Sequence, residues 1–195
     1  MTNTRRFLRA LRQLFSARKK TIRKGRVPVR PGCVLQCDLG ILLEHTGIYI
    51  GNGKIVSLNR HGHIKTENAA SFFPPGTNPD SSEIYVACYG KTDEVLASPA
   101  VARNAKRKID DKTKYNVVFN NCHRFTAGCI TGDFESDVIS FSQLEEVILT
   151  HIESLRPKKP FWVRFWNFIT RKKPEMPLRP ASLNWRAADI PLKKL

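Results

Sequence analysis

The amino-acid sequence predicts an α+β fold in which a small antiparallel sheet packs against one buried helix, with basic helical segments at both ends. Three stretches carry that reading. Asn52-Gly53 stands between two apolar, β-branched runs, and a two-residue hairpin turn needs positive φ at both positions, which Asn and Gly tolerate. Residues 83–89 alternate and are rich in Ile, Tyr and Val, the composition of a further strand. Asn120-Asn121-Cys122-His123-Arg124-Phe125-Thr126-Ala127-Gly128-Cys129-Ile130 follows a short apolar run, 115–119, and passes into small and apolar residues that suit a buried helix. Cys122 falls at or within the first turn of that helix.

Taken in order, the chain divides into a basic amphipathic extension, 1–29, a domain over 30–155, and a basic aromatic extension, 156–195. Its 195 residues suit one sizeable core with extensions. The formal charge of +16 would by itself suit nucleic acid or an anionic membrane. Its distribution says more: residues 1–30 hold 11 Lys/Arg and no acid, residues 156–195 hold 11 against 2, and the middle holds 11 against 15. The basicity therefore belongs to the two ends. Apolar residues at 7, 8, 11, 14 and 15 with arginine between them form one helical stripe, which suits the headgroup region of an anionic membrane. Packing on the domain's own core is the competing reading, and a nucleic-acid arm or a mitochondrial-type presequence fits less well. Arginine interrupts every apolar run there, so no secretory signal is predicted.

Pro28 and Pro31-Gly32 break any helix ahead of a buried strand at Val34-Leu35. Residues 64–82, with Pro74-Pro75-Gly76 and Asn78-Pro79-Asp80, read as an irregular connection that could cover a site. Ser98-Pro99 supplies an N-cap and first-turn proline for a helix to about residue 109. Ser142-Gln143-Leu144-Glu145 reads as a capping box for a stripe of Leu144, Val147, Ile148, His151 and Leu155, where His151 serves packing. Residues 161–169 hold two tryptophans and three phenylalanines bracketed by lysine and arginine. That run is far below the roughly 20 residues needed to span a bilayer and suits its interface instead, or a dock on the domain or on a partner protein. The prolines from 174 onward argue for an extended tail.

Five cysteines, an odd number, without an export signal fit a reducing compartment and free thiols. Cys33 and Cys37 lack partners at zinc-like spacing, and there is no Gly-rich phosphate loop, so neither metal nor cofactor is expected. The chemistry points elsewhere. A cysteine at a helix N-terminus is exposed to unpaired N–H groups and the positive end of the dipole, which favour the thiolate. The plainer alternative is a small buried hydrophobe. His45, near the start of the first hairpin strand, and Ser57, on its partner, supply the second element. A histidine held by a strand and facing such a cysteine is the arrangement that nucleophilic catalysis needs.

In this order the two elements resemble the lecithin retinol acyltransferase family, which includes phospholipase/acyltransferases and bacterial relatives. The resemblance runs from Arg30-Pro31-Gly32 through His45-Thr46-Gly47-Ile48-Tyr49-Ile50-Gly51-Asn52-Gly53 to Asn121-Cys122-His123-Arg124-Phe125, roughly residues 30–140, and suggests a bacterial or phage relative. It implies a permuted papain-like, NlpC-type domain with Cys122 as nucleophile and His45 as general base. The chain departs from the pattern at two places. The family often carries a second histidine twelve residues after the first, and that position is Ser57; the third member stays open among Ser57, Asn59 and His61. The glutamate that follows the family's cysteine is His123, which points about 100° away along the helix and is a poor base.

The expected activity is thiol-dependent acyl transfer or hydrolysis of lipid acyl esters through a Cys122 thioester. A cysteine peptidase or amidase of the same superfamily is the alternative, as is a catalytically inactive membrane- or protein-binding module. The expected partners are a lipid or amide substrate and an anionic membrane surface rather than nucleic acid. The expected place is the cytoplasm, peripherally on a membrane; nothing in the sequence gives an oligomeric state.

Overall fold

The hairpin that Asn52-Gly53 foretells sits at the centre of the fold, with Asn52 at φ 54° and Gly53 at φ 72°. A computed structural model describes residues 25–38, 44–73, 82–113, 121–156, 169 and 182–190. The expected helix at 5–15, the run at 115–119, the proline-rich residues 74–81 and the aromatic residues 161–168 lie outside them. The elements are β1 (Val27–Pro28), β2 (Val34–Asp38), β3 (Glu44–Gly51), β4 (Lys54–Leu58), β5 (Ile64–Glu67), α1 (Ala69–Phe72) and β6 (Ile84–Tyr89). They continue with α2 (Pro99–Arg107), α3 (Cys122–Thr131), α4 (Phe141–Thr150), α5 (Ile152–Leu155) and β7 (Leu183–Asp189). The fold is thus α+β, with a seven-stranded sheet in the order β1-β7-β6-β2-β3-β4-β5. All pairings are antiparallel except β1 with β7.

Alternation along the strands gives the sheet two buried faces. Val34, Ile48, Val56, Leu58, Tyr85, Ala87 and Trp185 turn to one face, where Val101, Phe125, Leu144 and Ile148 of the helices cover them. Leu35, Cys37, Tyr49, Ile55, Val86 and Cys88 turn to the other, against Phe72 of α1. The parity of the strands therefore decides which side chains can meet. Thr46 shares the α3 face with Ile48, whereas His45 and Ser57 share the opposite face with Tyr49 and Ile55.

Several expectations need correction. Residues 64–73 are not irregular: they form β5 and α1, joined through Asn68, whose side chain accepts from the Ser71 amide. Ile64 is the only apolar residue of β5, so an edge strand carrying Lys65, Thr66 and Glu67 left no hydrophobic alternation to read. The capping box of α4 is formed by Ser140 and Gln143, two residues ahead of the expected serine. Ser98 precedes Pro99 at the start of α2, but its side chain makes no capping hydrogen bond. Beyond Pro180 the chain is extended, yet residues 183–189 are not a loose tail: β7 is sandwiched between β1 and β6. Trp185 is buried there, stacks on Phe141 at 5.3 Å and donates to Glu145 Oε1 at 3.0 Å, and Arg186 pairs with Asp93. All five thiols are free and buried.

Candidate active site

The site grows from the N-terminal turn of α3. Asn121 caps the helix, its side-chain oxygen accepting from the His123 and Arg124 amides, while its own Nδ2 donates to the Ile139 carbonyl at 2.7 Å. The carboxamide thus locks the turn to the loop before α4, and Cys122 becomes the first helical residue. The turn packs on the start of β3, where Cys122 Sγ lies 3.9 Å from the carbonyl oxygen of Glu44, one peptide before His45. On the same face Thr46 Oγ1 lies 3.0 Å from Thr126 Oγ1 and 3.4 Å from His123 Nδ1.

The thiol is governed by two opposed effects. Amide N–H groups of Thr46, Cys122 and His123, with the Thr46 hydroxyl, favour the thiolate, as the helix terminus leads one to expect. Burial works against them and is the larger effect, so the Cys122 thiol is pushed up from its ordinary value. The expectation of a thiol already primed to ionise is therefore corrected: the free site holds it neutral.

His45 is the second residue of β3, and its ring lies on that of Phe72 with centroids 4.8 Å apart. Burial lowers its pKa to about 4, so it rests as a neutral imidazole able to accept a proton. His123 is lowered further, to about 3, first by burial and then by repulsion from His45, which makes the two rings electrostatic neighbours. Among the described residues no hydrogen bond joins Cys122 to His45. The expectation that His45 faces the thiol is corrected: its ring turns to the Phe72 face of β3 while Cys122 packs on the α3 face, with the Glu44–His45 peptide between them.

The three residues proposed for a third member fall in different places. Asn59 Oδ1 accepts from the amides of His61 and His63, which makes it the organiser of the turn after β4. His61 is exposed on that turn, its Nε2 3.2 Å from Arg60 Nε, and it does not share a strand with His45. Ser57 alone is buried in the sheet on the face of His45, paired with Gly47. Its hydroxyl donates to Glu67 Oε2 at 2.6 Å. The acid was invisible to sequence reasoning because β5 was; the sole signal was the alternation of Lys65 and Glu67 about a threonine.

A separate cavity of about 240 Å³ is lined by Leu58, Lys108, Lys112, Arg124 and Phe134, among others, and contains neither Cys122 nor His45. Among the described residues no cluster of His, Cys, Asp and Glu has the arrangement of a metal site, and no helix is long and apolar enough to cross a membrane.

The family model described as lecithin retinol acyltransferase matches residues 28–135, which include β2 through β6, His45 and Cys122. No curated protein matches the chain.

Proposed function

The chain belongs to the lecithin retinol acyltransferase family, whose members are typically cysteine-dependent acyltransferases, and from that premise we propose that it transfers acyl groups through a thioester on Cys122. The observation that carries the proposal is the placement of Cys122 at the capped N-terminus of α3, against the strand that bears His45. In chain order the strand with the base precedes the helix with the nucleophile, which supports a permuted papain-like arrangement.

In the proposed reaction His45 takes the thiol proton as Cys122 Sγ attacks an ester carbonyl carbon. The sulfur–carbon bond forms, the carbonyl electrons move to oxygen, and amide N–H groups of the α3 terminus stabilise that oxyanion. Collapse expels the alcohol, which receives the proton from His45. Water or a second alcohol or amine, deprotonated by the same histidine, then releases the acyl group. Because thiol and imidazole both rest neutral, proton transfer accompanies attack and does not precede it.

A lipid acyl donor suits the two basic ends, which we read as peripheral anchors to an anionic cytoplasmic membrane face. The amide-hydrolysing alternative and the inactive module differ from this reading in what they leave on the protein. Incubation with lipid extract followed by mass spectrometry separates acyl transfer from the inactive module, and turnover of amide but not ester substrates, lost in Cys122→Ala, would mark the amidase. An acyl adduct on Cys122, absent from Cys122→Ala and not formed by His45→Ala, supports acyl transfer. An intact protein that never acquires an acyl group, and whose five thiols label equally with an activity-based thiol probe, is an inactive module.

A further inference from the structure

We propose that the Thr46 hydroxyl is a hydrogen-bond donor kept for the Cys122 sulfur and that Thr126 holds it there; the inference rests on the assignment of Cys122 as nucleophile above. The placement follows from two periodicities. Cys122 and Thr126 are four apart in α3 and so stand one above the other on one side of the helix. Thr46, the third residue of β3, shares with Ile48 the face that α3 covers. Helix turn and strand meet at that point. Cys122 Sγ lies 3.9 Å from the Glu44 carbonyl oxygen, and Thr46 Oγ1 lies 3.0 Å from Thr126 Oγ1 and 3.4 Å from His123 Nδ1. The amide and the hydroxyl of Thr46 both reach the sulfur. Thr46 and Thr126 are fully buried, so neither hydroxyl can turn to bulk water.

One proton on each hydroxyl fixes what the pair can do. Among the described residues the acceptor within reach of Thr126 Oγ1 is Thr46 Oγ1, so the Thr126 proton goes to Thr46. The Thr46 proton is then left for His123 Nδ1 or for the sulfur. Where Nδ1 is bare, its bond to Thr46 is long at 3.4 Å, against about 2.8 Å for an ordinary hydroxyl donor, and is readily given up. Where Nδ1 carries a proton it donates to Thr46 itself, and the sulfur is the acceptor that remains. In either tautomer the hydroxyl can turn to the sulfur as the thiol ionises, and it keeps its own proton in doing so. A neutral thiol gains little from such a donor. A thiolate gains more, because a hydrogen bond to a charged group is about twice as strong as one between neutral groups. Thr46 thus brings two donors from one residue to a sulfur whose burial opposes charge.

The test is the pH profile of Cys122 alkylation by iodoacetamide, read by mass spectrometry on the full chain, which needs no acyl donor. In Thr46→Val, which keeps the shape and the amide and removes the hydroxyl, the inflection should move about one unit to higher pH. Below the inflection the rate should fall about threefold, because a tenfold loss of thiolate is offset in part by the greater nucleophilicity of a more basic sulfur. Thr46→Ser, which restores the hydroxyl, should keep the parent's inflection. His123→Leu, which takes away the competing group, should not slow alkylation. An unmoved inflection in folded Thr46→Val overturns the proposal. A shift of the same size in Thr46→Ser also overturns it, by assigning the effect to packing of the methyl, as does one in His123→Leu, by assigning it to the imidazole. If Thr46→Val does not fold because the Thr126 hydroxyl is stranded, Thr46→Val with Thr126→Val replaces both partners by apolar groups of the same shape, and an unmoved inflection there overturns the proposal. A shifted inflection in a protein that never acquires an acyl group would sustain this inference and strike the acyl-transfer reading alone.

Discussion

Acidification should destabilise this protein through two buried histidines, and the size of the effect follows from their surroundings. His45 binds its proton near pH 4 in the folded chain against 6.5 when unfolded, and His123 near pH 3. Between those limits the unfolded chain holds more protons, so stability rises with pH across the window and is lost as pH falls from about 6.5 toward 4. At pH 4.5 each histidine alone would withdraw roughly 2–3 kcal/mol, on the scale of 1.36 kcal/mol per unit of pKa difference. The two are not fully additive, because repulsion from His45 is part of what lowers His123. Against a total stability of about 5–15 kcal/mol this is a large fraction. Urea unfolding followed by far-UV circular dichroism at pH 7.5 and pH 4.5 measures it, with His123→Gln as the comparison because carboxylates contribute to the acid loss of both proteins. The variant should lose about 2 kcal/mol less than the parent over that window, by the same linkage. Equal losses would mean that His123 titrates normally, and the account of a dry, neutral site would fail.

Gly47→Ala should cost about 1–3 kcal/mol, since the new Cβ would stand 2.9 Å from the Val56 carbonyl oxygen, which is fixed in the β3–β4 ladder. The same carbon presses on Phe72, the ring on which His45 rests; urea unfolding measures the cost, and a stability equal to the parent's would mean that the Phe72 ring and the Val56 peptide give way. Trp185→Ala should destabilise by about 3–5 kcal/mol in urea, and a chain ending at residue 181 should unfold without a cooperative transition, because β6 loses the strand on its outer side. Replacing Trp162, Phe165 and Trp166 by alanine in the full chain should reduce co-sedimentation with anionic liposomes at low salt, where no charge has been removed. Loss of the fold in that variant would assign the aromatics to the core instead.

What the sequence made legible were features written locally. The hairpin was readable because Asn52 and Gly53 are the residues a positive-φ turn selects, and α3 because small and apolar residues follow Cys122; the Asn121 cap was not read. Strands β2, β3, β4 and β6 each bury residues on both faces and so carry continuous apolar runs. Strand β5 escaped because it is an edge: only its pairing with β4 makes Ile64 to Glu67 a strand. Strand β7 escaped for a different reason. Proline signals on either side of it describe an extended chain, and pairing to a strand almost a hundred residues earlier has no local signature. The basic composition of the C-terminal segment also hid its role, since Arg186 is buried against Asp93 and is not a surface cation.

The same limit separates the reading of Cys122 from its behaviour. Helix position is local and argues for a thiolate; burial is a property of the whole packing and argues against one, and here it is the larger. A site with a neutral thiol and a neutral imidazole gains its ion pair only when something compensates the charge. An entering carbonyl offers an oxyanion and not a countercharge, so the compensation must come from the protein. The α3 amides face the sulfur side. On the far face of β3 the His45 ring rests on Phe72, and burial alone holds it neutral. The two residues that the sequence pairs are thus divided by the strand that carries one of them: helix amides surround the sulfur, an aromatic ring covers the imidazole. A residue as buried as Cys122, at 4% exposure, gains little from the helix terminus until its surroundings admit a charge.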